Sequence, residues 1–153
     1  MSRIFYICMI FCTLCYAGAP KFDPAQTHTF ELKKDEWARV FITEKATQKQ
    51  DVFDFRWTLY DSTNIVVQSF FRRYPRQMSL SLRHGVDTYM QRILPDFTMP
   101  TTDAVKLYLS FVKFENRKAS FNVNILDESK RIDVSFIDPP VRSVAGNTMN
   151  NEN

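Results

Sequence analysis

The stretch Asp51-Val52-Phe53-Asp54-Phe55-Arg56-Trp57-Thr58-Leu59-Tyr60 decides the fold. Phe53, Phe55, Trp57 and Leu59 occupy every second position, with Asp54, Arg56 and Thr58 between them. Successive side chains of a β-strand point to opposite faces, so this spacing predicts a strand with one buried and one wet face. The alternation recurs outward along the chain. Met78, Leu80 and Leu82 alternate with Gln77, Ser79, Ser81 and Arg83. Val105, Leu107, Leu109 and Phe111 form another stripe, and Ala119, Phe121, Val123 and Ile125 alternate with Ser120, Asn122 and Asn124. Ile132, Val134 and Phe136 stand opposite Asp133 and Ser135. Thr27–Leu32, Glu36–Thr43 and Ile65–Arg72 are further strand candidates, and Thr88–Leu94 fits either a strand or two helical turns.

Short polar segments separate these stripes: Lys33-Lys34-Asp35, Asp61-Ser62-Thr63-Asn64, Tyr74-Pro75-Arg76, Glu115-Asn116-Arg117 and Asp127-Glu128-Ser129-Lys130. Such residues favour turns, and strands joined by short turns pair antiparallel. Residues 43–50 read as an exposed loop. Residues 94–103, with Pro95 and Pro100, read as a longer crossover. No segment shows an extended i, i+3, i+4, i+7 stripe. The expectation is an all-β chain: an antiparallel β-sandwich, jelly-roll or immunoglobulin-like, of about eight to nine strands with little helix.

The chain has 153 residues, 44% of them hydrophobic and 24% charged, which suits one globular domain and excludes wholesale disorder. Arg3, the apolar run Ile4–Cys15 and the small residues Ala17, Gly18 and Ala19 have the three-part layout of a secretory signal peptide. Cleavage is expected after Ala17, with Ala19 as the alternative, where Pro20 would follow the cut. The apolar run is shorter than the ~20 residues a membrane-spanning helix needs, so no transmembrane segment is expected in the mature chain. Neither Cys12 nor Cys15 is preceded by the small residues of a lipoprotein signal. The domain layout is therefore 1–17 signal peptide, 20–139 β-sandwich and 140–153 disordered tail. The expected location is exported, periplasmic or extracellular. Cys8, Cys12 and Cys15 all fall inside the signal, which leaves the mature chain without a disulfide, a thiolate metal site or a thiol nucleophile.

The sequence offers little catalytic chemistry. His28 and His84 are remote from each other and do not make a zinc site with scattered carboxylates, so no metal is expected. There is no Gly-x-Ser-x-Gly elbow, Walker loop or dinucleotide fingerprint, so no cofactor is expected and the chain reads as no enzyme. A small hydrolase built from converging carboxylates stays open as one alternative. A carbohydrate-binding module using Trp37, Tyr60 or Tyr74 is another, because aromatic rings at strand ends can stack on sugars.

The net charge of +3 is unevenly placed. Residues 18–71 and 93–153 each carry 7 basic and 8 acidic side chains, whereas residues 72–92 carry 5 basic and 1 acidic. All five are arginines: Arg72, Arg73, Arg76, Arg83 and Arg92. The guanidinium fork matches carboxylates and phosphates, so these residues with Tyr74 form the candidate surface for an acidic protein, an acidic glycan or a lipid headgroup. A solvated face guarding a strand edge is the plainer reading. Nucleic acid is not expected for an exported chain of such modest charge.

The order Phe30-Glu31-Leu32, Trp57-Thr58-Leu59-Tyr60-Asp61, Val105–Phe111 and Phe121–Ile125 resembles bacterial pre-peptidase C-terminal domains. The resemblance implies a small secreted β-sandwich and carbohydrate as one ligand class. The chain departs from those domains in lacking glycine-rich turns, since only Gly85 and Gly146 follow Gly18. The functional expectation is an exported, non-enzymatic binding or envelope-assembly module.

Overall fold

The computed structural model describes residues 24–139 apart from His84 and Pro100. The predicted signal segment and C-terminal tail lie outside the described residues. Eleven strands follow one another: β1 (Gln26–Lys33), β2 (Ala38–Glu44), β3 (Gln50–Asp61), β4 (Asn64–Phe71), β5 (Tyr74–Ser81), β6 (Thr88–Leu94), β7 (Phe97–Thr98), β8 (Thr101–Thr102), β9 (Val105–Glu115), β10 (Lys118–Leu126) and β11 (Ile132–Ile137). Thr88–Leu94 resolves as a strand.

Nine of these strands build two sheets, ordered β1-β10-β9-β6 and β11-β2-β3-β4-β5, while β7 and β8 pair alone inside the 94–104 connection. Every pairing is antiparallel. The chain is an all-β sandwich, as the alternation predicts. Phe30, Phe53, Phe55, Phe111 and Phe121 are fully buried between the layers with Leu32, Leu107 and Leu109. Phe55 meets Phe30 and Phe121 edge-on at 5.4 and 5.6 Å between ring centres, one of the preferred aromatic geometries. Trp57 is buried as well, and its indole N–H donates across the layers to the Leu32 carbonyl at 2.9 Å. A buried Trp needs such a partner, and this bond ties β3 to β1.

The founding stripe carries one correction. Phe53, Phe55 and Trp57 point inward, but Leu59 is 59% exposed. The register with β4 shifts here, from Trp57 opposite Val67 to Leu59 opposite Val66. Thr58 is the extra residue of a β-bulge, and one inserted residue flips every later side chain. Tyr60 consequently turns inward, stacking on Phe114 at 3.9 Å between ring centres and donating its hydroxyl to the Ser62 carbonyl at 2.7 Å. Similar shifts occur at Ser120/Phe121 and at Arg92/Leu94.

The β4–β5 turn is also displaced from its expected place. The sequence puts it at Tyr74-Pro75-Arg76, whereas Phe71 pairs with Tyr74 and the two-residue loop is Arg72-Arg73. Both arginines are left-handed, with φ of 52° and 68°. A two-residue hairpin of type I′ needs such a pair, and its twist matches that of the flanking strands. The Asn116-Arg117 turn repeats the arrangement, with φ of 51° and 62°. Pro75 falls within β5, a position open to proline because β5 is an edge strand.

Candidate binding surface

The five arginines of residues 72–92 do not form one patch. Arg72 is committed to structure. Its Nε and Nη2 both reach the Asp51 carboxylate at 2.7 Å, and Nη2 also donates to the Ile93 carbonyl at 3.2 Å. Its guanidinium lies 4.9 Å from the centre of the Phe71 ring. Asp51 stands in β3 and Ile93 in β6, so Arg72 pins the hairpin tip to both sheets. Ile93 is the residue left over by the β6 register shift, and the guanidinium satisfies its carbonyl.

Arg73 and Arg76 are exposed, and neither has a side-chain partner among the described residues. Tyr74 is 74% exposed and shares one face of β5 with Arg76. Arg92 points out from the other sheet and pairs with Asp96 at 3.8 Å. Arg83 follows the far end of β5 rather than sharing the polar face of Ser79 and Ser81. Eight strand residues at ~3.3 Å each put it roughly 25 Å from the tip, at the opposite end of the sandwich. The surface thus reduces to Arg73, Tyr74 and Arg76, held in place by Arg72. Sequence order alone groups Arg83 and Arg92 with them; the strand and the layer change separate them.

The aromatic residues singled out for sugar stacking do not form a row. Tyr60 is taken up by Phe114, as above. Trp37 is half-buried, with Phe70 at 5.5 Å on one side and the Arg56 guanidinium over its ring at 4.7 Å. Arg56 in turn donates twice to Gln68. Only Tyr74 displays its ring.

About half of the charged side chains of the described residues stand in ion pairs. Arg39 grips Asp54 with two bonds of 2.7 and 2.8 Å, and the hydrogen bond to that carboxylate raises the guanidinium pKa above its usual value. Lys113 donates to Glu115 at 2.8 Å; that bond lifts the ammonium pKa and holds the Glu115 carboxyl below the ordinary carboxylate range. Asp127, 5% exposed, accepts the backbone N–H groups of Arg131 and Ile132 at 2.9 Å each and so caps the turn before β11. Sequence reading missed Arg131, which fastens the 94–104 connection through the Pro95 and Asp103 carbonyls at 2.6 and 3.2 Å. A shallow depression over Glu31, Lys33, Glu36 and Lys118 carries charges of both signs, with Lys118 and Glu31 paired at 3.7 Å. Among the described residues no group of three His, Cys, Asp or Glu side chains converges on a metal-sized space.

His28 is only half-exposed. Its ring stacks on Phe136 at 4.8 Å and Nε2 lies 3.0 Å from Asp138. His84 lies outside the described residues. Among the described residues no helix is long and apolar enough to cross a membrane.

Comparison with protein-family models, curated proteins and solved structures returns no match, and so no family model supports the likeness to pre-peptidase C-terminal domains.

Proposed function

We propose that this chain is an exported, non-enzymatic binding or envelope-assembly module that takes an anionic partner on the β4–β5 tip. One observation carries the reading. Two consecutive non-glycine residues are held left-handed at Arg72-Arg73, a conformation that costs L-residues roughly 1–2 kcal/mol each and that Asn-Gly adopts readily. The Asn116-Arg117 turn shares this backbone, so what sets the β4–β5 tip apart is two arginines without partners beside an exposed ring. Here it presents Arg73 beside exposed Tyr74 and Arg76 with no counter-charge among the described residues. The ligand chemistry is a carboxylate or phosphate presented with an apolar or ring surface for Tyr74. An acidic protein, an acidic glycan and a lipid headgroup all supply it.

The test is a variant that spares Arg72, because its loss would act through stability. Arg73→Gly with Arg76→Ser keeps the turn and removes both free cations. Retention of the full-length protein on phosphatidylglycerol vesicles, on polyuronate beads and on envelope fractions is then measured at rising salt. Wild-type retention that salt weakens and the double variant loses supports the reading, and the support that retains the protein names the source. Equal retention of wild type and variant sinks it. Export is tested separately by mass spectrometry of the protein recovered outside the cytoplasm. The expected mature N-terminus is Gly18, and an intact Met1 there refutes export through a cleaved signal.

A further inference from the structure

Among the described residues the two sheets end in four edge strands, β1 and β6 on one sheet and β11 and β5 on the other. An edge presents unpaired backbone N–H and C=O groups, and proteins guard it with charge, proline, a bulge or a covering segment. Three of these edges are guarded. β1 and β11 close on each other through His28, which stacks on Phe136 and lies 3.0 Å from Asp138. β1 also carries Glu31 and Lys33, and Asp133 of β11 pairs with Lys45. β5 holds Pro75 and Arg76 near its start, and the N–H of its last residue, Ser81, donates to the Val86 carbonyl at 2.8 Å. β6 differs. Its first four residues, Thr88-Tyr89-Met90-Gln91, include neither a charge nor a proline, and its register shift lies beyond them at Arg92/Leu94.

The surface beside this edge is apolar. The Phe111 N–H donates to the Asp87 carbonyl at 2.8 Å, which continues the β6–β9 ladder and sets Val86 against Val112. Val86, Met90 and Val112 are 56, 47 and 44% exposed. Val86 and Met90 are an even number of residues apart and so share one face of the extended chain. Charge stands only at the ends of the uncharged run, with Asp87 before it and Arg92 after it.

We infer that β6 pairs antiparallel with β6 of a second copy, joining two four-stranded sheets into one continuous sheet. A twofold axis at Met90 opposes Met90 to its own counterpart, Thr88 to Arg92 and Tyr89 to Gln91. Such an interface is self-complementary, each contact occurring twice. No two like charges face each other across it, and the acidic start of each strand lies beside the basic end of the other. That charge match is what favours a second copy over an unrelated strand. The two Met90 side chains meet at the axis and cover each other. Arg73, Tyr74 and Arg76 take no part, so the interface stands apart from the anion-binding tip.

Sedimentation velocity of the full chain at rising concentration tests the inference, with amide exchange on the same samples to locate the contact. A monomer–dimer equilibrium is expected, in which the amides of residues 88–92 slow as the dimer fills and those of β5 do not. Thr88→Arg opposes arginine to arginine on both sides of the axis and is expected to raise the dimer Kd about tenfold. Thr88→Glu opposes Arg92 with a carboxylate and is expected to leave the Kd unchanged or lower it. Both variants add one charge at one exposed position, so a difference between them reads the sign of the opposing charge and not a shared loss of folding. The exchange pattern of the wild type decides the matter if neither variant folds. The inference is overturned if the chain stays monomeric up to its solubility limit, if the dimer protects a different edge strand, or if Thr88→Arg and Thr88→Glu dimerise alike.

Discussion

Arg72 and Arg73 are adjacent, identical and both left-handed, yet the structure gives them opposite effects on stability. Replacing Arg72 by Ala removes an ion pair and an Nε hydrogen bond to a carboxylate only 14% exposed, a bond to the Ile93 carbonyl and a ring contact with Phe71. Hydrogen bonds to charged groups contribute roughly 1.5–3 kcal/mol, whereas exposed ion pairs contribute about 0–1. Arg72 is 39% exposed, so the expected loss lies between these ranges, about 2 kcal/mol. Ala keeps the left-handed strain, so nothing offsets that loss. Arg72→Gly relieves about 1 kcal/mol of it and should cost correspondingly less. Arg73 has no such partner, and Arg73→Gly should stabilise by several tenths to about 1 kcal/mol. Urea denaturation of the four proteins supplies the free energies, and Asp51→Asn completes a double-mutant cycle with Arg72→Ala. The coupling should be about 1–2 kcal/mol, since the two residues share one contact. A loss below about 0.5 kcal/mol for Arg72→Ala, or a vanishing coupling, refutes the claim that Arg72 is an anchor rather than a ligand-binding cation.

The bulge at Thr58 predicts that Leu59→Thr changes stability by no more than about 0.5 kcal/mol, whereas Tyr60→Ala costs roughly 2–3, the reverse of the uninterrupted pattern; urea denaturation of both variants checks this. Asp127→Ala strands the Arg131 and Ile132 N–H groups and should cost about 2 kcal/mol by the same method, with faster amide exchange at Ile132 as its local signature. The Lys113–Glu115 pair weakens toward both extremes of pH, through Lys113 on the alkaline side and Glu115 on the acid side. Because the folded carboxyl titrates below its ordinary value, its contribution is fully present above that value and fades as pH falls through the lowered one. Glu115→Gln should therefore lower Tm near neutrality slightly and converge with wild type in acid; parallel profiles across the whole range would contradict the assignment.

Much of the architecture follows from the chain's own periodicity. Phe53, Phe55 and Trp57, Leu107 to Phe111, and Phe121 to Ile125 are buried as their spacing dictates, because a side-chain period of two leaves a strand one way to hide its apolar half. Turn chemistry located most connections, and it failed at Arg72-Arg73 for a definite reason. The residue types favoured in turns describe average cost, whereas this tip is stabilised by contacts with Asp51 and Ile93, far away in sequence. Leu59 and Tyr60 exchanged faces because a bulge depends on what the partner strand offers, which no local pattern records.

The same division governs the binding surfaces. The sequence by itself determined that the body is antiparallel β with one apolar face per strand, and that positive charge concentrates in residues 72–92. Both are properties of neighbours along the chain. Only the tertiary structure decided which arginines serve the fold and which face solvent, since that depends on strand length, on the layer each strand joins and on partners many residues away. Only it, too, left β6 at a sheet edge and set Val86 against Val112. Side chains so far apart in sequence become one surface only when hydrogen bonding sets the register.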